Sequence, residues 1–134
     1  MALAEKHHMK DFSRAVGKMV AVAAMACTLP AAPAFAGNCL PRATSFDLNS
    51  DTVHWSFSIR ASTECLQGLR GGAMLLDEVE IVEPPSTGSL TISGPAFFYR
   101  APALGQSDRF RLRVTGEKNR MRGSSELVVE VSVR

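Results

Sequence analysis

Residues 52–60 read Thr-Val-His-Trp-Ser-Phe-Ser-Ile-Arg, and every second side chain of this stretch is apolar. A period of two puts successive side chains on opposite faces of a β-strand, so we predict a strand with one buried face here. His54 is the single histidine of residues 37–134 and falls on the outward face. With no titratable partner nearby in the sequence, it is predicted to be a solvated surface residue and not a general base.

The same alternation recurs further along the chain. Residues 109–114 read Arg-Phe-Arg-Leu-Arg-Val, and residues 125–133 place an aliphatic side chain at every second position. Weaker strand signals lie at 43–48, 74–82, 89–93 and 97–100, separated by turn residues. About seven short strands with no helical stretch predict a single antiparallel β-sandwich. The predicted core consists of Val53, Trp55, Phe57, Ile59, Leu90, Ile92, Phe110, Leu112, Val114, Leu127, Val129 and Val131.

A hairpin between residues 109–115 and 124–133 has one register that keeps its apolar side chains on a single face. A slip of one residue would turn the arginines of the first strand into the core, so this register is strongly specified. Its pairs are Phe110 with Val129, Leu112 with Leu127, Arg113 with Glu126 and Arg109 with Glu130.

The N-terminal 36 residues have the three parts of a secretory signal peptide. A basic segment, residues 1–18, precedes an apolar run from Met19 to Leu29, and Ala-Phe-Ala at 34–36 supplies the cleavage site. The run is shorter than the roughly 20 residues that a membrane span needs. We therefore predict a cleavable signal peptide over 1–36 and one exported domain over 37–134 with no transmembrane segment. The protein is expected to be bacterial and periplasmic or secreted, and translation could begin at Met1 or at Met9.

Two properties of residues 37–134 exclude common functions. The segment carries as many basic as acidic side chains, 11 of each. A neutral body argues against a nucleic-acid binder, which needs a basic field. Its two cysteines, Cys39 and Cys65, are predicted to form a disulfide, because paired cysteines are usually oxidised in exported proteins. Two cysteines and one histidine are too few for a closed zinc site, so no metal or cofactor is predicted.

A lead-in of Pro85 and Gly88 is followed in order by Tyr99, Pro102, Gly105, Asp108 and Phe110. Through this pattern about residues 78–133 resemble bacterial immunoglobulin-like and cadherin-like surface domains. The shared pattern is a proline and glycine lead-in, an aromatic strand ending near Tyr-x-Pro, Gly-x-x-Asp-x-Phe, and a closing valine-rich strand. The resemblance implies an immunoglobulin-like sandwich with an adhesive or spacer role and no catalysis. From this motif, Asp108 is expected to accept backbone hydrogen bonds in the Gly105–Ser107 turn. The residues that carry the motif most clearly are Tyr99, Pro102, Gly105, Asp108 and Phe110.

Five arginines form the strongest charge pattern. Three of them, at 109, 111 and 113, line one strand face, where Glu126 and Glu130 are predicted to neutralise them. Arg120 and Arg122 lie in the segment 116–123, which is expected to be an exposed and mobile loop without such partners. Guanidinium groups bind sulfate, phosphate and carboxylate through paired hydrogen bonds, so these two form the candidate anion-binding site.

These observations favour a non-enzymatic module for interaction with an unidentified protein or for envelope structure. The alternative is a module that binds anionic glycans or polymers through Arg120 and Arg122. A third hypothesis is an enzyme or enzyme subunit, but the sequence has no Gly-x-Ser-x-Gly motif and offers a single histidine for a triad. The oligomeric state is left open.

Overall fold

The computed structural model describes residues 23–24 and 34–134. In this part of the chain all regular structure is β. Within it, no helix has the length and apolar character needed to cross a lipid bilayer. The strands are β1 (Ala34–Asn38), β2 (Asp51–Ile59), β3 (Thr63–Gly68), β4 (Met74–Glu83), β5 (Ser89–Ile92), β6 (Ala96–Arg100), β7 (Ser107–Lys118) and β8 (Met121–Val133).

The strands form two four-stranded sheets. Sheet A has the order β1-β3-β6-β5, and sheet B has the order β2-β8-β7-β4. The all-β, two-layer architecture agrees with the sequence prediction, although the described residues hold eight strands instead of about seven. The expectation of a purely antiparallel fold is wrong, because β1 pairs with β3, and β2 with β8, in parallel. No tight turn joins either pair, so no hairpin constrains them to run antiparallel.

The predicted register of the last hairpin is confirmed. Phe110 faces Val129 and Arg113 faces Glu126, and the pairing continues to Lys118 opposite Met121. The expected mobile loop over 116–123 is therefore wrong. Most of that segment belongs to the hydrogen-bonded ladder, because residues 116–118 pair with 121–123 and the two strands need only a two-residue connection.

The core lies between the two sheets. Nine of the twelve predicted core residues are buried. The other three, Val53, Leu90 and Ile92, are partly buried and pack against the core from the edge strands β2 and β5. Aromatic rings join the layers: Phe57 meets Tyr99 edge-on with centroids 5.9 Å apart, and Phe97 meets Phe110 at 5.2 Å.

The predicted strand at 43–48 does not form. The segment is irregular chain and buries two side chains, Phe46 and Leu48. Trp55 Nε1 donates to the carbonyl oxygen of Thr44 at 3.1 Å and to its hydroxyl at 2.9 Å. The apolar residues that suggested a strand are therefore anchors that hold a connection against β2.

Two strands were not predicted, β1 and β3. In β3 the inward side chains include Gln67, a polar residue that breaks the apolar alternation. Its amide oxygen accepts from Leu40 N at 3.0 Å, and its amide nitrogen donates to the carbonyl of Gly68 at 3.1 Å. These bonds satisfy the buried amide, which makes an inward glutamine tolerable at that position.

Cys39 and Cys65 are joined in the predicted disulfide, with Cα atoms 5.1 Å apart. The bond ties the residue after β1 to the adjacent strand β3, so it lies along one edge of sheet A. The predicted cleavage position, after Ala36, falls within β1, whose side chains are mostly exposed. Cleavage there stays a prediction, and most of the predicted signal peptide lies outside the described residues.

Candidate functional site

Arg120 lies at the tip of the β7–β8 hairpin. The connection consists of Asn119 and Arg120 alone, with φ angles of 53° and 62°. Two consecutive left-handed residues are what a two-residue type I′ connection requires. Asparagine tolerates this conformation, whereas an arginine side chain is strained in it. Among the described residues Arg120 makes no ion pair, and its side chain is exposed, as expected.

Arg122 is not free, contrary to expectation. Its Nη2 pairs with the carboxylate of Asp77, and its Nη1 lies 4.0 Å from Glu117 Oε2. Asp77 sits at an irregularity of β4, where the pairing with β7 skips one residue between Leu76 and Glu78. That extra residue places the carboxylate of Asp77 against Arg122, which is 45 positions away in the sequence. The two arginines of the proposed anion site therefore differ: one is paired and one is not.

An open depression of about 510 Å³ lies beside this hairpin, between residues 47–50 and the segment 118–123. Two cations line it, Arg122 and Lys118. Arg122 pairs with Asp77 as described above, and Lys118 Nζ lies 2.5 Å from Asp47 Oδ1. Each of the two cations lining the depression is thus matched by a carboxylate, so an incoming anion would have to displace an existing pair.

The arginine stripe of β7 is neutralised in part as predicted. Arg113 lies 3.3 Å from Glu126 and 3.6 Å from Glu80 on the other neighbouring strand. Arg111 is 4.0 Å from Glu126. Arg109 faces Glu130 in the register, but no ion pair within 4.0 Å joins these two among the described residues. The outer face of sheet B therefore carries side chains of both signs of charge.

Asp108 has a different role from the one expected. Its carboxylate binds the turn at 84–88 and not the Gly105–Ser107 turn: Oδ1 accepts from Ser86 N at 2.8 Å and Oδ2 from Gly88 N at 2.8 Å. Oδ2 also accepts from the hydroxyl of Tyr99 at 2.7 Å, and Oδ1 from Arg109 N at 2.9 Å. The sequence prediction selected the Gly105–Ser107 turn because it is the nearest to Asp108. In the structure the Asp108 side chain points inward from β7 and reaches the 84–88 turn, where Gly88 lies 20 residues earlier in the chain.

These contacts decide the ionisation of the pair. Burial alone would raise the pKa of Asp108, but the hydrogen bonds from Tyr99, Gly88, Ser86 and Arg109 outweigh it and lower the pKa to about 2. Burial, followed by the hydrogen bond to the Asp108 carboxylate, raises the pKa of Tyr99 well above its usual range. The aspartate is charged and the tyrosine neutral throughout the physiological range, and both are occupied within the protein.

The other motif residues complete this structural unit. Phe110 stacks on Tyr99 with ring centroids 5.8 Å apart and an interplanar angle of 20°. The carbonyl of Pro102 accepts from Ser62 N at 3.0 Å, and Gly105 lies beside the carbonyl of Val133. The structure thus brings Tyr99, Asp108 and Phe110 together, whereas Pro102 and Gly105 contact other parts of the chain.

Sequence reasoning missed a second carboxylate network. Ser125 is buried and its hydroxyl donates to Asp51 Oδ1 at 2.5 Å, while it accepts from Leu48 N at 2.9 Å. Asp51 also accepts from Asp47 N at 3.0 Å and Asn49 N at 3.2 Å. Burial opposes the ionisation of Asp51, but these hydrogen bonds prevail and lower its pKa. One sequence feature could have indicated this network: Ser125 occupies an inward position of β8, two residues before the buried Leu127, so its hydroxyl needs a partner inside the protein.

Within residues 34–134, no group of three or more histidine, cysteine, aspartate or glutamate side chains is placed to hold a metal ion. No protein-family model and no curated protein match the chain. A solved structure with partial similarity is that of a sialyltransferase from Photobacterium damsela, with 11% identity and a TM-score of 0.40. The similarity covers 63% of this chain and 18% of the sialyltransferase chain, so it spans a small part of that enzyme.

Proposed function

We propose that the protein is an exported, non-enzymatic, immunoglobulin-like module that acts in protein interaction or as a structural part of the bacterial envelope. The observation that carries this proposal is the Tyr99–Asp108 hydrogen bond. The buried titratable side chains of the motif are engaged in joining the two sheets, and such scaffold bonds suit a module whose outer faces contact a partner.

The immunoglobulin-like assignment is supported by the strand order. Without β2, sheet A has the order β1-β3-β6-β5 and sheet B the order β8-β7-β4. If these seven strands are lettered A to G in chain order, the two sheets become A-B-E-D and G-F-C. That is the order of an immunoglobulin constant-type sandwich. The disulfide differs in position, since it lies within sheet A instead of crossing between the sheets. It supports export to an oxidising compartment.

The outer face of sheet B supports a role in contact with another protein. It is broad and carries both signs of charge, with Arg109 and Glu130 exposed beside each other. Complementary charge patterns of this kind set partner choice and orientation more than affinity. We therefore expect a partner that presents a face of mixed charge.

The test is capture of the partner by chemical cross-linking in the bacterial envelope. Exchange of the two charges, Arg109→Glu with Glu130→Arg, keeps the local pairing but inverts the pattern, and it should abolish capture without changing thermal stability. Arg120→Ala is the matched control on the hairpin tip and should leave capture intact. Equal capture by all three proteins would contradict the proposal for this face. Intact mass should show an N-terminus at Gly37 with the disulfide formed.

A second candidate function, anion binding, now rests on Arg120 of the hairpin tip, which is exposed and has no ion-pair partner within the described part of the chain. Retention on an acidic polysaccharide should fall with rising salt, because exposed charges are screened. Arg120→Ala should reduce retention more than Arg122→Ala, since Arg122 is already paired with Asp77. If the wild type is not retained at low salt, this second function is excluded.

A further inference from the structure

The two sheets have four edge strands: β1 and β5 in sheet A, and β2 and β4 in sheet B. An open edge presents unpaired backbone groups on which another strand can form, and proteins usually block it with short strands, charges, prolines or bulges. Three of these edges are blocked in that way. β5 has four residues, and β4 has two register irregularities and four acidic side chains. β1 is short and irregular, and even after cleavage at Ala36 the disulfide and the bond from Cys39 N to Leu66 O hold the start of the chain against β3.

β2 has none of these features. Its nine residues pair with β8 without a register shift. From Thr52 to Ile59 there is no proline and no lysine, arginine, aspartate or glutamate. The outward side chains are small or neutral and exposed; they are Thr52, His54, Ser56 and Ser58.

The direction of the backbone groups of β2 follows from one hydrogen bond. Arg134 N donates to Ile59 O at 3.0 Å. In a parallel pair of strands, a residue whose carbonyl oxygen accepts a hydrogen bond from the neighbouring strand also donates its amide N–H to that strand. The amide and carbonyl of the next residue point to the opposite side. The amide and carbonyl groups of residues 52, 54, 56 and 58 therefore face the open edge. Among the described residues, no other segment forms a backbone hydrogen bond with them.

The sequence of β2 is complementary to itself in the antiparallel sense. A two-fold axis at Trp55 pairs Thr52 with Ser58 of a second copy, and His54 with Ser56 of that copy. This register uses the outward backbone groups of all four positions. At each end it sets Asp51 of one copy opposite Ile59 of the other and Arg60 opposite Ser50, so neither charge meets a like charge.

We propose that β2 is a dimerisation edge that pairs antiparallel with β2 of a second copy of this chain. Pairing would join the two B sheets into one continuous eight-stranded sheet and remove the open edge from both copies. A second copy fits this edge because a charged side chain near the two-fold axis would meet its own like in the other copy, and residues 52–59 contain no lysine, arginine, aspartate or glutamate. The inference does not depend on the proposed function, which a monomer could equally perform.

Sedimentation equilibrium of the full exported chain over a range of concentrations is the first test. The wild type should show a reversible dimer. Ser56→Lys places a cation in the middle of the pairing, near its own copy across the axis, and should weaken dimerisation by about tenfold or more. Thr91→Lys is the matched control, since Thr91 is exposed on β5, the edge of the other sheet, and should leave the dimer unchanged.

Amide hydrogen exchange provides a second readout. The amides of His54 and Ser56 should be protected when the chain is concentrated and exchange rapidly when it is dilute or carries Ser56→Lys. Thermal unfolding checks that the variant is folded, and His54→Lys replaces it if it is not. A monomer at every concentration, or a dimer that both lysine variants leave intact, would overturn the proposal. Protection that does not depend on concentration would also overturn it, because another part of the same chain would then cover the edge.

Discussion

The hydroxyl of Tyr99 donates to Asp108 Oδ2 over 2.7 Å and thereby links β6 of sheet A to β7 of sheet B. The tyrosine is fully buried and the aspartate is 5% exposed. The disulfide, in contrast, joins neighbouring positions within sheet A. The two sheets are therefore held together by apolar packing and by this charged hydrogen bond, while the covalent bond secures one edge.

Removing the carboxylate of Asp108 should destabilise the fold strongly. Asp108→Ala leaves the buried hydroxyl of Tyr99 and the partly buried amide bonds of Ser86 and Gly88 without their acceptor, and an unsatisfied buried group costs roughly 1–3 kcal/mol. We expect a loss of about 3 kcal/mol or more in urea unfolding. Tyr99→Phe removes a single donor and should cost about 1–2 kcal/mol. A loss for Asp108→Ala no larger than that for Tyr99→Phe would mean that the turn at 84–88 finds other partners.

Stability should depend on pH in the acid range. The pKa of Asp108 is lowered from an ordinary value of 3.8 to about 2 in the folded protein. Because the pKa is lower in the folded than in the unfolded chain, the ionised Asp108 stabilises the fold fully above about pH 4. This stabilisation is lost as the pH falls towards 2, and the free energy of unfolding should decrease by about 2 kcal/mol. Thermal melts between these pH values should show the decline, and Asp108→Asn should make it shallower. An equal decline in both proteins would assign the effect to other carboxyl groups.

The hairpin tip can be stabilised. Arg120 has a φ of 62°, a conformation that glycine adopts without the penalty that other residues incur. Arg120→Gly should therefore raise the free energy of unfolding by about 1 kcal/mol. The same change at Arg122, which lies within β8, should lower it by about 0.5–1 kcal/mol, because glycine weakens a strand. Two changes of the same sign in chemical denaturation would contradict the left-handed assignment of the tip.

Gly123 is required for a close backbone approach. A Cβ atom at this position would collide with the carbonyl of Leu48, whereas a Cβ at Gly72 would meet nothing within 4 Å. We expect Gly123→Ala to cost about 2 kcal/mol or more, since backbone cannot move aside as a flexible side chain would. Gly72→Ala should change stability by less than about 0.5 kcal/mol. Comparable melting temperatures for the two variants would show that the 46–50 segment can shift.

The parts that the sequence could predict are those fixed by neighbouring residues. The β7–β8 register followed from two alternating strands close together in the chain, and the structure has the same pairs, including Phe110 with Val129. The strand around Trp55 was also found, because its alternation is unbroken. The disulfide followed from the cysteine count and the inferred compartment.

What escaped prediction depends on residues that are distant in the sequence. The pairing of Arg122 with Asp77 needs an extra residue in β4, which no local pattern reveals. β3 was missed because a buried glutamine, Gln67, interrupts its apolar face. The turn amides that bind Asp108, those of Ser86 and Gly88, lie 22 and 20 residues upstream, and Ser125 meets Asp51 across 74 positions. Neither contact leaves a mark in the local composition.

The parallel pairing of β2 with β8 also has a consequence for the order of folding. The two strands are 74 residues apart in the chain, so sheet B cannot be completed until the C-terminal strand has been synthesised. Pairing of strands so far apart in the chain has a large loop-closure entropy cost, so we expect slow folding. Until β8 arrives, both edges of β2 stay open, and its alternating apolar residues are at risk of aggregation. A strand that the ribosome makes much later, β8, is thus the one that protects β2.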